Sequence, residues 1–150
     1  MATLLGTLSR ATNLLRHHLD ARAVELGIGA SEYLVMRAAL LNPDVSTAAI
    51  RRSLGVLDPA FSNVVKRTVY RGYAIQMPYP GDRRTRRLAL TLPGEVAFGI
   101  TASIQQELEA FAGSGSWMAE TVDRIDAVGR RLATIPPAES YLDDLPIDTA

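Results

Sequence analysis

Residues 46–72 read STAAIRRSLGVLDPAFSNVVKRTVYRG, and residues 80–91 read PGDRRTRRLALT. The first stretch holds two short helical periods. Ser46 is a capping residue ahead of Ile50 and Leu54, and Gly55 supplies the stop. Asp58-Pro59 then starts a second helix, with a side chain that caps and a proline at the first helical position. This helix runs to Arg71, buries Phe61, Val64, Val65 and Thr68, and ends at Gly72. The period then changes to two: Ile75, Met77 and Tyr79 alternate, as do Leu88 and Leu90. A β-hairpin with PGDRRT at its tip is predicted, and Pro78 suits an edge strand.

Two helices and an arginine-rich hairpin make a particular chemical pattern. A helix that enters a DNA major groove exposes small polar residues near its N-terminus. Here those are Ala60, Ser62 and Asn63, with Lys66 and Arg67 one turn further on. Serine and asparagine hydrogen-bond base edges, while lysine and arginine reach bases or phosphates. The bland reading is an ordinary helical pair. The hairpin argues against it, because like charges at Arg83, Arg84 and Arg86 repel one another across a tip. They make sense against phosphate or in a minor groove, where the potential is strongly negative. Asp82 is placed to pair with Arg84 or Arg86 and hold the tip in shape.

The charge distribution agrees. The 150-residue chain has a formal net charge of zero, yet residues 51–87 carry nine basic groups against Asp58 and Asp82. Residues 1–50 balance, and residues 88–150 carry three basic and ten acidic groups. A basic middle between neutral and acidic ends is the footprint of a local phosphate-binding surface.

Outward from this centre, residues 4–26 form an amphipathic helix with a broad buried face: Leu4, Leu8, Ala11, Leu15 and His18, ending near Gly27 and Gly29. Ser31 caps a second helix that stops at Asn42-Pro43. After Thr91 a long helix carries Ala97, Ile100, Ile104, Leu108 and Phe111, up to the Gly113–Ser116 break. Ser116 caps a last helix, whose row is Met118, Val122, Ile125, Leu132 and Ile135, and Pro136-Pro137 ends it. The expected organisation is one domain over 1–135, with a lobe at 30–91 and helices at 1–26 and 95–135 that pair with a second subunit. An acidic tail follows at 136–150. The fold class is mainly α with a small β-hairpin wing.

Within this frame the chain resembles the MarR family of winged helix-turn-helix regulators. The resemblance spans about residues 29–98 and rests on Asp82-Arg83-Arg84, Leu90-Thr91 and Gly94 at the family's wing-to-helix spacing. Ser46, Leu54-Gly55 and Arg71-Gly72 support it. It implies a homodimer built from the first helix and the last two, bound to a near-palindromic operator in double-stranded DNA. It also implies transcription regulation, usually repression of nearby genes relieved by a small aromatic or phenolic ligand. The DNA-contacting set it places here is Ser46, Ala60, Ser62, Asn63, Lys66, Arg67, Arg83, Arg84 and Arg86. Asn63 stands where arginine is common, Phe61 is bulkier than the usual aliphatic, and Arg51 replaces a small apolar residue. These departures bear on the operator sequence.

Other functions find less support. Apolar residues make up 47% of the chain and charged residues 21%, ordinary for a soluble protein, and no apolar run approaches membrane-span length. No signal peptide is apparent, which predicts a cytoplasmic protein. The absence of cysteine excludes disulfides and thiolate metal sites. His17 and His18 are adjacent, so their side chains point about 100° apart on a helix, and neither a metal nor a cofactor is expected. His18, Tyr33, Met36 and Arg37 are candidates for lining an effector pocket. No nucleophile elbow, phosphate loop or working carboxylate pair points to an enzyme. The rival of a different class is a winged-helix dimer that has lost DNA binding and acts through protein contacts.

Overall fold

In the computed structural model, which describes residues 3–113 and 115–135, the order of elements follows the periodicities closely. Helix α1 spans Leu4–Arg22, and a single 3-10 turn follows at Val24–Leu26. Helix α2 spans Ala30–Leu41, α3 Thr47–Leu54 and α4 Asp58–Tyr70. Strands β1 (Ala74–Tyr79) and β2 (Asp82–Leu90) form the hairpin, and α5 covers Leu92–Ala112. Helix α6, Ser116–Leu132, belongs to a second compact unit that begins at Ala112. The expected tail at 136–150, with Pro136-Pro137, lies outside the described residues, as does Ser114.

Local chemistry explains most element ends. The Ser46 hydroxyl accepts from the Ala49 N–H at 3.2 Å, and Gly55 closes α3 at φ 63°. Three expected caps are corrected. Helix α2 starts at Ala30, one residue before Ser31: its open end is satisfied by Glu32, which accepts from the Gly29 N–H at 3.1 Å, and by Asp20, which accepts from the Ala30 N–H at 2.7 Å. Helix α4 is capped at Leu57 without a side-chain bond, because the Asp58 carboxylate pairs with Arg51 at 2.7 Å instead. Pro59 fits the second helical position as well as the first, since neither position's N–H has an intrahelical partner. Helix α6 is capped at Gly115, with Ser116 as its first residue.

The core sits where α2, α3 and α4 meet the hairpin. Val35, Ala39, Ile50, Phe61, Val64, Val65, Ala74 and Leu88 are buried together. A second cluster of Ile28, Met36 and Ala97 joins α2 to α5, and Leu90 packs on both. The crossing of hairpin and α5 is tight. Thr91 donates to the Gly72 carbonyl at 2.5 Å and accepts from the Gly94 N–H at 3.2 Å. A Cβ on Gly94 would overlap the Tyr73 carbonyl, so only glycine lets the backbones approach this closely.

The flanking helices differ from expectation in how much they bury. In α1 only Leu19 is buried, Leu8 and Leu15 are half-buried, and Leu4, Ala11 and His18 are exposed. The hydrogen bonds that tie α1 to α2 lie toward its C-terminal end: the Asp20 cap on Ala30 and an Arg16–Ser31 bond of 2.6 Å. In α5 the buried positions are Gly94, Ala97 and Thr101, while Ile100 and Phe111 are exposed. No residue of α6 is buried.

Candidate nucleic-acid interface

The α4 helix sorts its residues cleanly onto two sides. Phe61, Val64, Val65 and Thr68, at three- and four-residue spacing, face the core. The opposite side therefore presents Pro59, Ala60, Ser62, Asn63 and Lys66, all exposed. Tyr70 stands on this face too, 94% exposed, and was not among the expected residues although it lies four positions after Lys66. Beside the helix, a shallow recess of about 280 Å³ is lined by Ser62 and Lys66 of α4, Thr47 and Ala48 of α3, and Gln76 of β1. Gln76 was also missed. The expected alternation pointed the other way: Ile75 is exposed, and Gln76 shares its strand face with the buried Ala74 and pairs with the buried Leu88.

The hairpin is tied to the same corner. The Thr47 hydroxyl donates to the Arg86 carbonyl at 3.2 Å, and Ser46 forms an isolated β-bridge with Arg87. The Ser46 hydroxyl is thus occupied as a helix cap. Arg87 turns back toward Asp44, 3.8 Å away, leaving Arg83, Arg84 and Arg86 exposed. At the tip, Pro80 and Gly81 (φ 80°) fill the two central positions of a tight turn whose second residue needs positive φ. Pairing then jumps from Tyr79–Asp82 to Pro78–Arg86, so Arg83, Arg84 and Thr85 form a bulge. Asp82 holds this bulge, but not by pairing with an arginine side chain as expected. It accepts from the Arg84 N–H at 2.9 Å and from the Thr85 hydroxyl at 2.6 Å. Those two bonds, the Thr85 hydroxyl first, keep its carboxyl below the usual carboxylate pKa. The local satisfaction of Asp82 leaves the arginine side chains projecting from an ordered tip.

Arg67, also in the expected set, is paired within the fold. Its guanidinium binds Glu32 on α2, Nε at 2.7 Å and Nη2 at 2.5 Å from Oε1. Glu32 is only 8% exposed, while the Arg67 side chain remains 53% exposed beside it.

The sequence matches no protein-family model and no curated protein. Its three-dimensional form does have relatives. The M. tuberculosis transcriptional regulator MosR, solved in complex with DNA, superposes with a TM-score of 0.74 at 17% identity, over 91% of this chain and 100% of that one. MarR itself gives 0.72 at 17% identity, over 88% and 89%. CouR from Rhodococcus jostii RHA1, bound to p-coumaroyl-CoA, gives 0.71 at 18% identity, over 89% and 94%. The fold is the MarR-type winged helix-turn-helix.

In that MarR-type fold, α3 and α4 are the helix-turn-helix and the hairpin is the wing. The four residues expected around an effector pocket are less concerted. Met36 is wholly buried in the second core cluster, and His18 and Arg37 are exposed. Tyr33 stacks on Phe98 with ring centroids 5.4 Å apart. Burial pushes the Tyr33 phenol up, against the nearby Arg37 and together with Glu109. A different, open apolar recess of about 400 Å³ lies between the 3-10 turn, Tyr73 just ahead of β1, and α5, lined by Leu26, Tyr73, Leu92, Val96 and Ile100 among others. Among the described residues no three His, Asp or Glu side chains are grouped to hold a metal ion, and no helix is long and apolar enough to cross a membrane.

Proposed function

We propose that this protein is a homodimeric, sequence-specific DNA-binding regulator of transcription, acting on double-stranded DNA in the cytoplasm by binding and not by catalysis. One observation carries the reading. The exposed face of α4 and the arginine-bearing wing meet at the N-terminus of α3, where Thr47 bonds the wing backbone and Ser62, Lys66 and Gln76 line one recess. Such a surface presents base-reading groups beside phosphate-binding ones. Ser62 and Asn63 are assigned to base edges, and Lys66, Arg83, Arg84 and Arg86 to phosphates or a minor groove. Ala60 leaves room for a thymine methyl. The dimer reading rests on the exposed apolar residues of the flanking helices: Leu4 and Leu5, Ile100 and Phe111, Val122, Ile125 and Leu132.

The simplest regulatory logic is repression of neighbouring genes, relieved by a small aromatic or phenolic ligand. The solved relatives include structures bound to DNA and one bound to an aromatic thioester. The apolar recess beside Tyr73 is a better candidate for such a ligand than the surroundings of Met36.

The test is a fluorescence-anisotropy titration against DNA upstream of the protein's own gene and against random DNA, at two salt concentrations. Nanomolar binding that outcompetes random DNA is expected, with log K falling by about 0.9 per neutralised phosphate per decade of salt. Salt-insensitive binding, or none to any duplex from a random-sequence selection, points to a winged-helix dimer that acts through protein contacts.

A further inference from the structure

The paired Arg67 has a consequence for how α4 is aimed. Glu32 uses both of its oxygens: Oε2 accepts from the Gly29 N–H at 3.1 Å and Oε1 receives Arg67. The same carboxylate therefore closes the start of α2 and grips the last turn of α4. Two further bonds run from just beyond α4 to the junction between α1 and α2. Arg71 donates to the Gly27 carbonyl, and the Tyr73 hydroxyl donates to the Leu26 carbonyl at 2.9 Å. Arg67 and Arg71 are four residues apart and so lie on one side of the helix. A charge-assisted contact from two guanidinium nitrogens is directional, so it restricts rotation of α4 about its axis as well as displacement. That rotation decides whether Ser62, Asn63 and Lys66 face the groove.

We propose that Glu32 and Arg67 are positioning residues for the recognition helix, and that Arg67 makes no phosphate contact of its own. The proposal rests on the DNA-binding reading above, and it reassigns a cation that the sequence places on DNA. Nε and Nη2 of Arg67 are held by the buried Glu32, which leaves Nη1 alone to meet a phosphate, whereas Arg83, Arg84 and Arg86 are exposed and have no ion-pair partner among the described residues.

The two roles predict opposite outcomes. The experiment uses the full chain and a duplex that the wild-type protein recovers from random sequence, titrated at several salt concentrations. Arg67→Ala is expected to lower affinity roughly tenfold with an unchanged salt slope, as for a residue that acts through another. Arg84→Ala is the contrast, its slope shallower by about 0.9. Glu32→Gln keeps an acceptor for Gly29 and a neutral one for Arg67, so the fold is retained. It is expected to weaken DNA binding, and the double variant to bind no worse than Arg67→Ala alone. A slope reduced by about 0.9 in Arg67→Ala, or tighter binding by Glu32→Gln as the released cation finds phosphate, overturns the proposal. Failure of the wild-type protein to recover any duplex overturns the DNA-binding reading and this proposal with it. Recovery followed by tightening in Glu32→Gln removes the positioning role alone.

Discussion

Helices α4 and α6 carry the same kind of sequence signal and meet different fates. In α4 the row Phe61, Val64, Val65 and Thr68 is buried throughout. In α6 the row Met118, Val122, Ile125 and Leu132 recurs at similar spacing, and none of it is buried. The α5 helix combines both behaviours, with Ala97 and Thr101 buried near its start and Phe111 93% exposed near its end. Periodicity reports that a helix face requires cover. It does not report what supplies the cover. For α4 the chain's own α2, α3 and hairpin do so; for α6 the proposed partner is a second copy of the chain.

The sharpest way to break this contrast is to cut into the covered face. Phe61→Ala removes a ring from the main core cluster and is expected to destabilise the fold by about 3–5 kcal/mol, measured by urea denaturation. A loss below about 1 kcal/mol would show that α4 is not anchored through this row. The matching substitution on the uncovered face is Ile125→Asp. It is expected to raise the dimer dissociation constant roughly thirtyfold or more, since burying an unpartnered carboxylate costs about 2 kcal/mol or above. Sedimentation equilibrium reads this directly, and unchanged self-association removes α6 from the proposed interface.

The exposed face of α4 offers a smaller and more selective effect. Asn63→Ala is expected to cost about 1–3 kcal/mol on the preferred duplex, and to relax preference at one base position. Equal losses on preferred and random DNA would show that Asn63 reads no base. Paired with Phe61→Ala, this separates the two sides of one helix: one side holds the fold, the other chooses the sequence.

What was legible in the chain beforehand follows from the range of each signal. The buried row of α4, the Ser46 cap, the Gly55 stop and the Pro-Gly turn all depend on residues within about four positions of one another, so the sequence displays them directly. The wing's arginines were legible for the same reason, as charge clustered at a predicted tip. The roles of Asp58, Asp82 and Arg67 were not. Asp58 reads as a cap but pairs with Arg51 across the helix-helix turn. The Arg67 pairing was hidden because its partner Glu32 lies 35 positions earlier and becomes its neighbour only when α2 packs on α4. Gln76 joins the candidate surface for a similar reason, because its place beside Lys66 depends on how β1 leaves α4, whereas Tyr70 follows Lys66 by four positions on the same helix.

The smallest expected effect concerns the wing tip, where order is maintained by one exposed carboxylate. Asp82 is bonded to the Thr85 hydroxyl and the Arg84 N–H, and both favour its ionised form. A depressed carboxyl pKa contributes order that is fully present above the unfolded value and is lost as pH falls through the folded one. At neutral pH the tip is therefore insensitive to modest acidification, and it loosens only in acid below the ordinary value of 3.8. An NMR titration following the Arg84 amide should place the midpoint below that value. A midpoint at or above it would mean that the two bonds do not persist in solution. Asp82→Ala removes both bonds while leaving Arg83, Arg84 and Arg86 in place. DNA affinity should then fall only slightly, and equally on all sequences, because the lost preorganisation of the wing is partly offset by removal of a carboxylate that repels phosphate, and no base contact is lost.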